Sequence, residues 1–498
     1  MVKSFNAGDR ELVLESDIAC ADPVYLLRTS ATSVAYSKNL IAILDVAKKE
    51  KLLEIDTKSM SFLLQSGVVP PPYTIYRNLY ILSIGHKAKL KSVASNTEIE
   101  FFNDFPFYNH GRVAKAGFNA NRLIELLASA IERRFDGLRS GFLYHSAGKD
   151  SNSIALALDR LGYQNKVDFI TQDSPNNSLE PKISKKIAKK LGFSHTVLEP
   201  ASIESDSSKE AVISFFKRSP LPSLDTVSLG YPLHQLQIPD IHSSNLIDGM
   251  GNDVYLGHIP AKWEYRNQFL SRFFSVALKF ANKNYSASLA FFLSRTRAEC
   301  TGINRMSYGD AKKIFSVVEN VRGYWEGFDA QKLEYLDLRS AVRGVIHDQE
   351  VCIRKIRNFS TVSDSNLILP WADANVAEYM YHLNEKELFD RKALKNKLVL
   401  REMLFDKLGL NSDALGKMAY TVDSVAVVLQ EKKWVKDIIQ KCDLWDASCI
   451  GSYLDQLIVD AEGTKRYRNH AALIFYRLFM ISGWWLYSDF LDHRRELS

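Results

Sequence analysis

The sequence predicts an α/β fold: a parallel, doubly wound sheet, with a small β-rich domain before it and helical additions after it. Three observations carry this. Short apolar runs alternate with helical patterns between Asn119 and Leu198, the pattern of a parallel sheet with helical crossovers. Short strand-like runs punctuated by turn residues fill positions 1 to about 110. Beyond Lys262 the apolar periodicity is mostly helical.

In order along the chain, Glu11 to Leu14 and Ser33 to Tyr36 read as strands, and Pro70, Pro71 and Pro72 force an extended or turning backbone. Leu123, Ile124, Leu126, Leu127 and Ile131 recur at helical spacing up to about Arg134. Gly141 to His145 suits a buried strand, Ser151 to Leu161 a helix and Val167 to Thr171 a strand. Pro181 to Leu191 then reads as a helix and His195 to Leu198 as a strand. Later helices are expected at Ser286 to Leu293, Ala330 to Leu338, Val376 to Leu383 and Leu473 to Leu486. The domains are expected at 1–115 and 116–498. In such sheets, ligands bind beyond the carboxyl ends of the strands.

Composition narrows the function. A net charge of +6 over 498 residues is a weak bias that suits an anionic ligand and does not call for nucleic acid. Lys185, Lys186, Lys189 and Lys190 read as a solvated helix face. Five cysteines without a CxxC pair or zinc spacing point to a reducing compartment. The N-terminus has no signal-peptide core. The long apolar stretch Ala471 to Leu491, interrupted by Arg477, reads as a buried helix, not a membrane span. A cytoplasmic enzyme is the expectation; oligomeric state is not legible.

The segment Ser146-Ala147-Gly148-Lys149-Asp150-Ser151 joins a predicted strand to a predicted helix. Small residues at 147 and 148 let the backbone approach a phosphate, and amides at a helix start face an anion. Asp150 suits Mg²⁺, and Ser146 and Ser151 suit donation to phosphate oxygens. The Gly-Lys-Ser/Thr ending of a Walker A loop is absent. By itself, such a turn is also an ordinary helix start.

This segment resembles the pyrophosphate loop, Ser-Gly-Gly-x-Asp-Ser, of the ATP-pyrophosphatases, with Ala147 in place of the first glycine; alanine fits there if its φ is negative. A second stretch, Asp248-Gly249-Met250-Gly251-Asn252-Asp253, is similar to the Ser-Gly-Glu-Gly-x-Asp of asparagine synthetases, with Gly249, Gly251 and Asp253 in register. The resemblance implies ATP and Mg²⁺, with Asp150 and Asp253 sharing the metal. Ser178-Leu179-Glu180 with Ala188, Gly192 and His195 resembles the family's next helix and strand. Lys397-Leu398-Val399-Leu400-Arg401 resembles its Lys-Tyr-x-Leu-Arg, which implies that Lys397 faces the phosphates or the transition state. Lys355, followed by Pro370-Trp371-Ala372-Asp373, matches a further block without a gap. Gly67, Pro70, Tyr73 to Tyr76 and Leu82 to His86 look like the end of the family's glutaminase domain. The cysteine nucleophile after the initiator is replaced by Val2, so glutamine hydrolysis is not expected. The N-terminal part resembles the shortened, non-glutaminase domains of β-lactam synthetases and lasso-peptide cyclases.

In the gapless block the family's Asp, acid/base Glu and Arg become Arg357, Asn366 and Ile368. An amide is no general base, so asparagine synthesis itself is not expected. Cys352 reads either as a buried, inert thiol or as a thiolate activated by Arg354 or Lys355. The expected activity is adenylation of a carbonyl or carboxyl oxygen on a small molecule or peptide, followed by displacement of AMP by an amine. Sulfur transfer from a sulfur donor to give a thioamide or thiocarbonyl is the alternative, with Cys352 as carrier. A non-catalytic ATP-binding scaffold is the third possibility.

Overall fold

A computed structural model describes residues 1–104, 113–173, 179–280, 285–303, 306–415, 423–463 and 468–491, without the side chains of 272, 276, 277, 329 and 424. Ser178 lies outside the described residues.

The N-terminal region holds two antiparallel sheets. One has the order β1–β4–β3–β5, from Lys3–Asn6 (β1), Ser33–Ser37 (β4), Val24–Arg28 (β3) and Leu79–Leu82 (β5). The other joins Leu12–Glu15 (β2), His86–Val93 (β6) and Asn96–Asn103 (β7). Phe5, Leu26, Val34, Leu82, Ala88 and Leu90 fill the space between them. Two helices that the strand-like reading of this region lacked, Leu40–Lys49 (α1) and Thr57–Ser66 (α2), are interposed. Asn39 and Asp56 start them by accepting bonds from the amides of Ala42 and Ser59.

The central sheet is five-stranded and wholly parallel. It comprises Gly141–Tyr144 (β8), Val167–Gln172 (β9), His195–Leu198 (β10), Asn245–Ile247 (β11) and Asn366–Ile368 (β12), in the order β10–β9–β8–β11–β12. Chain progression therefore reverses between β8 and β11, the place where doubly wound sheets bind ligands. Alternate residues serve opposite faces. Phe142, Tyr144, Ile170, Leu198 and Leu246 enter one core, and Leu143, Val167, Phe169, Ile247 and Ile368 the other. Helices Ala120–Glu132 (α3), Lys149–Arg160 (α4) and Leu179–Leu191 (α5) pack in the second core. Lys185, Lys186, Lys189 and Lys190 of α5 are exposed, as a solvated face requires.

The first core also takes in apolar residues of β3, α1 and α2 and of the C-terminal helix Arg468–Tyr487. That helix is buried from Ala471 to Trp484. Its Arg477 donates to the carbonyls of Leu64 and Gln65 at 2.8 and 3.0 Å, so the charge that interrupts the apolar run caps α2. No helix among the described residues is long and apolar enough to cross a membrane.

Two helix expectations shift. The one at Ala330 to Leu338 is two helices, Arg322–Ala330 and Tyr335–Arg339, with Lys332 in the left-handed region between them. The one at Ser286 to Leu293 starts only at Leu289, where the Ser288 hydroxyl accepts from the Phe291 amide. Tyr335–Arg339 continues into a 14-residue π-helix, Ser340–Ile353. So long a π-helix is rare, since most π-turns are single bulges.

Candidate active site

Loop and helix geometry converge where the sheet order reverses. Between β8 and α4, the Ser146 and Ser151 hydroxyls lie 3.1 Å apart, and the Gly148 amide donates to Ser146 Oγ at 3.0 Å. Both residues are buried, and their hydroxyls bond within the turn. α4 starts at Gly148 without a side-chain cap, a helix start whose first N–H groups suit an anion. Ala147 is absent from the positive-φ residues and Gly148 has φ −71°, so alanine costs nothing at 147. Below the turn, burial pushes the His145 imidazole down to about 3, and its Nε2 donates to Asn152 Oδ1 at 3.1 Å. Asn152 in turn donates to the carbonyls of Ser146 and Gly148.

The second loop follows β11. Gly249 abuts Asp150 and Ser151: a Cβ there would meet the Asp150 Cβ and the Ser151 amide nitrogen at 3.4 Å. Gly251 has φ +112°, and a Cβ there would sit 2.9 to 3.2 Å from Ala372 atoms. The Pro370–Ala372 turn after β12 locks the arrangement, because the Trp371 indole donates to the Asp150 carbonyl at 3.1 Å.

Lys397 ties these pieces together. Its Nζ lies 2.6 Å from Asp150 Oδ2, 2.7 Å from Asp253 Oδ1 and 3.0 Å from Asn252 Oδ1. Lys397 stands just ahead of a helix, at its N-cap position. It precedes Leu398–Leu408 in the left-handed region, φ +56°, which swings the ammonium inward. Burial would lower its pKa, but the carboxylates of Asp150 and Asp253 outweigh that and hold it charged. Burial likewise favours the neutral Asp253 carboxyl, and the Lys397 ammonium prevails against it. The Asp150 and Asp253 side chains keep 30% and 47% of their surface, so the pair remains reachable from solvent. Two accessible carboxylates sharing one cation fit the donor set of a Mg²⁺ site.

Lys149 opens α4 beside them. Burial, then the Arg401 charge and that of Lys397, push its pKa down to about 8. The folded form thus holds fewer protons than the unfolded chain between pH 8 and 10.5, and stability rises with pH across that window. A polyphosphate at the α4 amides would restore the proton. Relative to Lys149→Met, which lacks this proton, pyrophosphate affinity should therefore fall as pH rises above 8, by up to about tenfold per pH unit. Calorimetric titration of both proteins from about pH 7 to 9.5 checks this.

The remaining expected residues lie along the same rim. Lys355 is buried and 3.0 Å from Asp225 Oδ1. Cys352 does not have the activated thiolate of the sharper reading. Arg354 turns to Glu350 and Tyr25, Lys355 is held by Asp225, and burial with the Asp225 and Asp348 charges pushes the thiol well up. The gapless match also misplaces its acid/base position. Asn366 pairs with Asn245, which pairs with Gly141, at the amino ends of the strands. There its amide donates to the Arg134 carbonyl and to Asn245. Arg357 donates to the Cys20 and Ala21 carbonyls, and Ile368 is core. These three positions carry structure.

Residues that sequence reasoning missed complete the rim: Asn252, Asp225, His258, His347 and Asp348. His258 Nε2 is 3.0 Å from Asp348 Oδ2, and its Nδ1 accepts from Arg339 at 3.2 Å. The only signal for the last two was polar spacing within an apolar run, Arg343, His347-Asp348 and Cys352. Compared with family models and with characterised proteins, the chain matches none.

Proposed function

We propose that this protein is an ATP-dependent synthetase of the asparagine-synthetase-like ATP-pyrophosphatase type, on a nucleotide-binding doubly wound fold. It activates a carbonyl or carboxyl oxygen as an adenylate with release of pyrophosphate, and an amine then displaces AMP to form an amide. The observation that carries this is the bridge from Lys397 to Asp150 and Asp253, beside the uncapped start of α4. The α4 amides and Lys149 receive the polyphosphate. Asp150 and Asp253 hold Mg²⁺, which neutralises phosphate charge. Lys397 places a fixed positive charge where negative charge develops as pyrophosphate leaves. The substrate lies over the rim of Asp225, Lys355 and Asp248. The raised Cys352 thiol weighs against its acting as a sulfur carrier, and the intact Lys397 cluster weighs against a bare scaffold.

ATP–pyrophosphate exchange and AMP release, measured across amino acids, peptides, other carboxylates and purines with ammonia, amines or sulfide, test this. One acceptor should give AMP with an amine, and Asp150→Ala should be silent. Release of ADP, or no exchange with any acceptor, would overturn the reading.

A further inference from the structure

We propose that His347, Asp348 and Cys352 form a second metal site, distinct from the Asp150–Asp253 pair, for a divalent cation of the Zn²⁺ class. The proposal rests on donor geometry and does not depend on the proposed activity. His347 Nδ1, Cys352 Sγ and Asp348 Oδ1 form a nearly equilateral triangle: 3.7 Å from nitrogen to sulfur, 3.8 Å from sulfur to oxygen and 3.7 Å from nitrogen to oxygen. A tetrahedral ion at ordinary Zn–N, Zn–O and Zn–S lengths spaces its donors about 3.3–3.6 Å apart. The three atoms need close in by only a few tenths of an ångström, roughly, to reach that spacing.

The π-helix makes the triangle possible. With hydrogen bonds spanning five residues, positions four and five apart share a face, so Cys352 comes under both His347 and Asp348. In an α-helix, residues five apart diverge by about 140°. The donor set discriminates as well. Sulfur, imidazole and one carboxylate suit Zn²⁺ and disfavour Mg²⁺, which takes oxygen ligands. The supporting contact is of the kind metal sites use: the other Asp348 oxygen faces His258, which Arg339 orients. Asp253, His258 and Asp348 form an adjoining group of potential ligands, which puts the triad next to the candidate active site. Three protein donors leave a fourth position open, as catalytic rather than structural zinc sites do.

One neighbour opposes the ion. Arg343 Nη1 points at His347 Nε2 from 3.3 Å. Coordination through Nδ1 requires the proton on Nε2, so Arg343 must turn away. Removing it should tighten the site.

The test is Co²⁺ titration of the tag-free, chelator-treated full-length protein, followed by absorbance. One equivalent should bind with a thiolate-to-cobalt charge-transfer band that equimolar Zn²⁺ erases. Cys352→Ser should lose the band, His347→Gln should weaken binding about tenfold or more, and Arg343→Met should strengthen it. Asp150→Ala should keep the band. Absence of the band in the wild-type protein overturns the proposal whatever the variants do. A band that survives Cys352→Ser overturns it too, since another cysteine then binds the ion. Should Cys352→Ser not fold, unchanged affinity in His347→Gln overturns it equally.

Discussion

Lys397→Met is expected to lower the rate of ATP–pyrophosphate exchange by about 10²–10³-fold, the loss typical of one preorganised transition-state charge. Methionine keeps the length and apolar stem of the side chain, and the left-handed backbone at 397 suits it no worse than lysine. What disappears is the ammonium between Asp150 and Asp253. Two carboxylates then face one another with no cation, and free Mg²⁺ should bind more tightly even as turnover falls. That opposite movement separates a catalytic charge from a structural one. Exchange kinetics and Mg²⁺ titration of the folded variant measure both. A variant with unchanged exchange rate, or with weakened Mg²⁺ binding and a lowered melting temperature, would make Lys397 a structural tie.

Gly251→Ala is expected to destabilise the protein by roughly 2–5 kcal/mol, combining left-handed backbone strain with overpacking. Its φ of +112° is one that L side chains rarely adopt, and the new methyl would collide with the Ala372 backbone at 3.0 to 3.2 Å. Neither partner yields easily. Ala372 closes the turn whose Trp371 holds the Asp150 carbonyl, and Trp371 is fully buried. The damage should therefore reach the loop as well as the fold, with pyrophosphate affinity lost in parallel. Urea unfolding and pyrophosphate titration check the two effects. A stability change below about 1 kcal/mol would show that the glycine loop relaxes freely, against the contact geometry.

The sequence alone determined the parts whose causes are local. Apolar alternation set the strands β8 to β10 and the helices between them. The Ser146 to Ser151 turn was legible as a small-residue link from strand to helix, whereas the Gly249 and Gly251 loop, Asp253 and Lys397 were picked out only by the resemblance to asparagine synthetases, since each alone has an ordinary structural use. Only the tertiary structure decided the rest. Asp225, His258, His347 and Asp348 stand far apart in the chain from the Ser146 to Ser151 turn, and no local pattern announces their meeting with it. The gapless match reached Lys355 yet set Asn366 against the family's acid/base Glu, although strand pairing places it at the opposite end of the sheet. The π-helix is the other reason. Its wider turn changes which residues share a face, so a reading at helical period could not bring Cys352 beside His347. The state of that thiol was equally out of reach, because burial and the carboxylate of Asp225, more than a hundred residues away in the chain, set it.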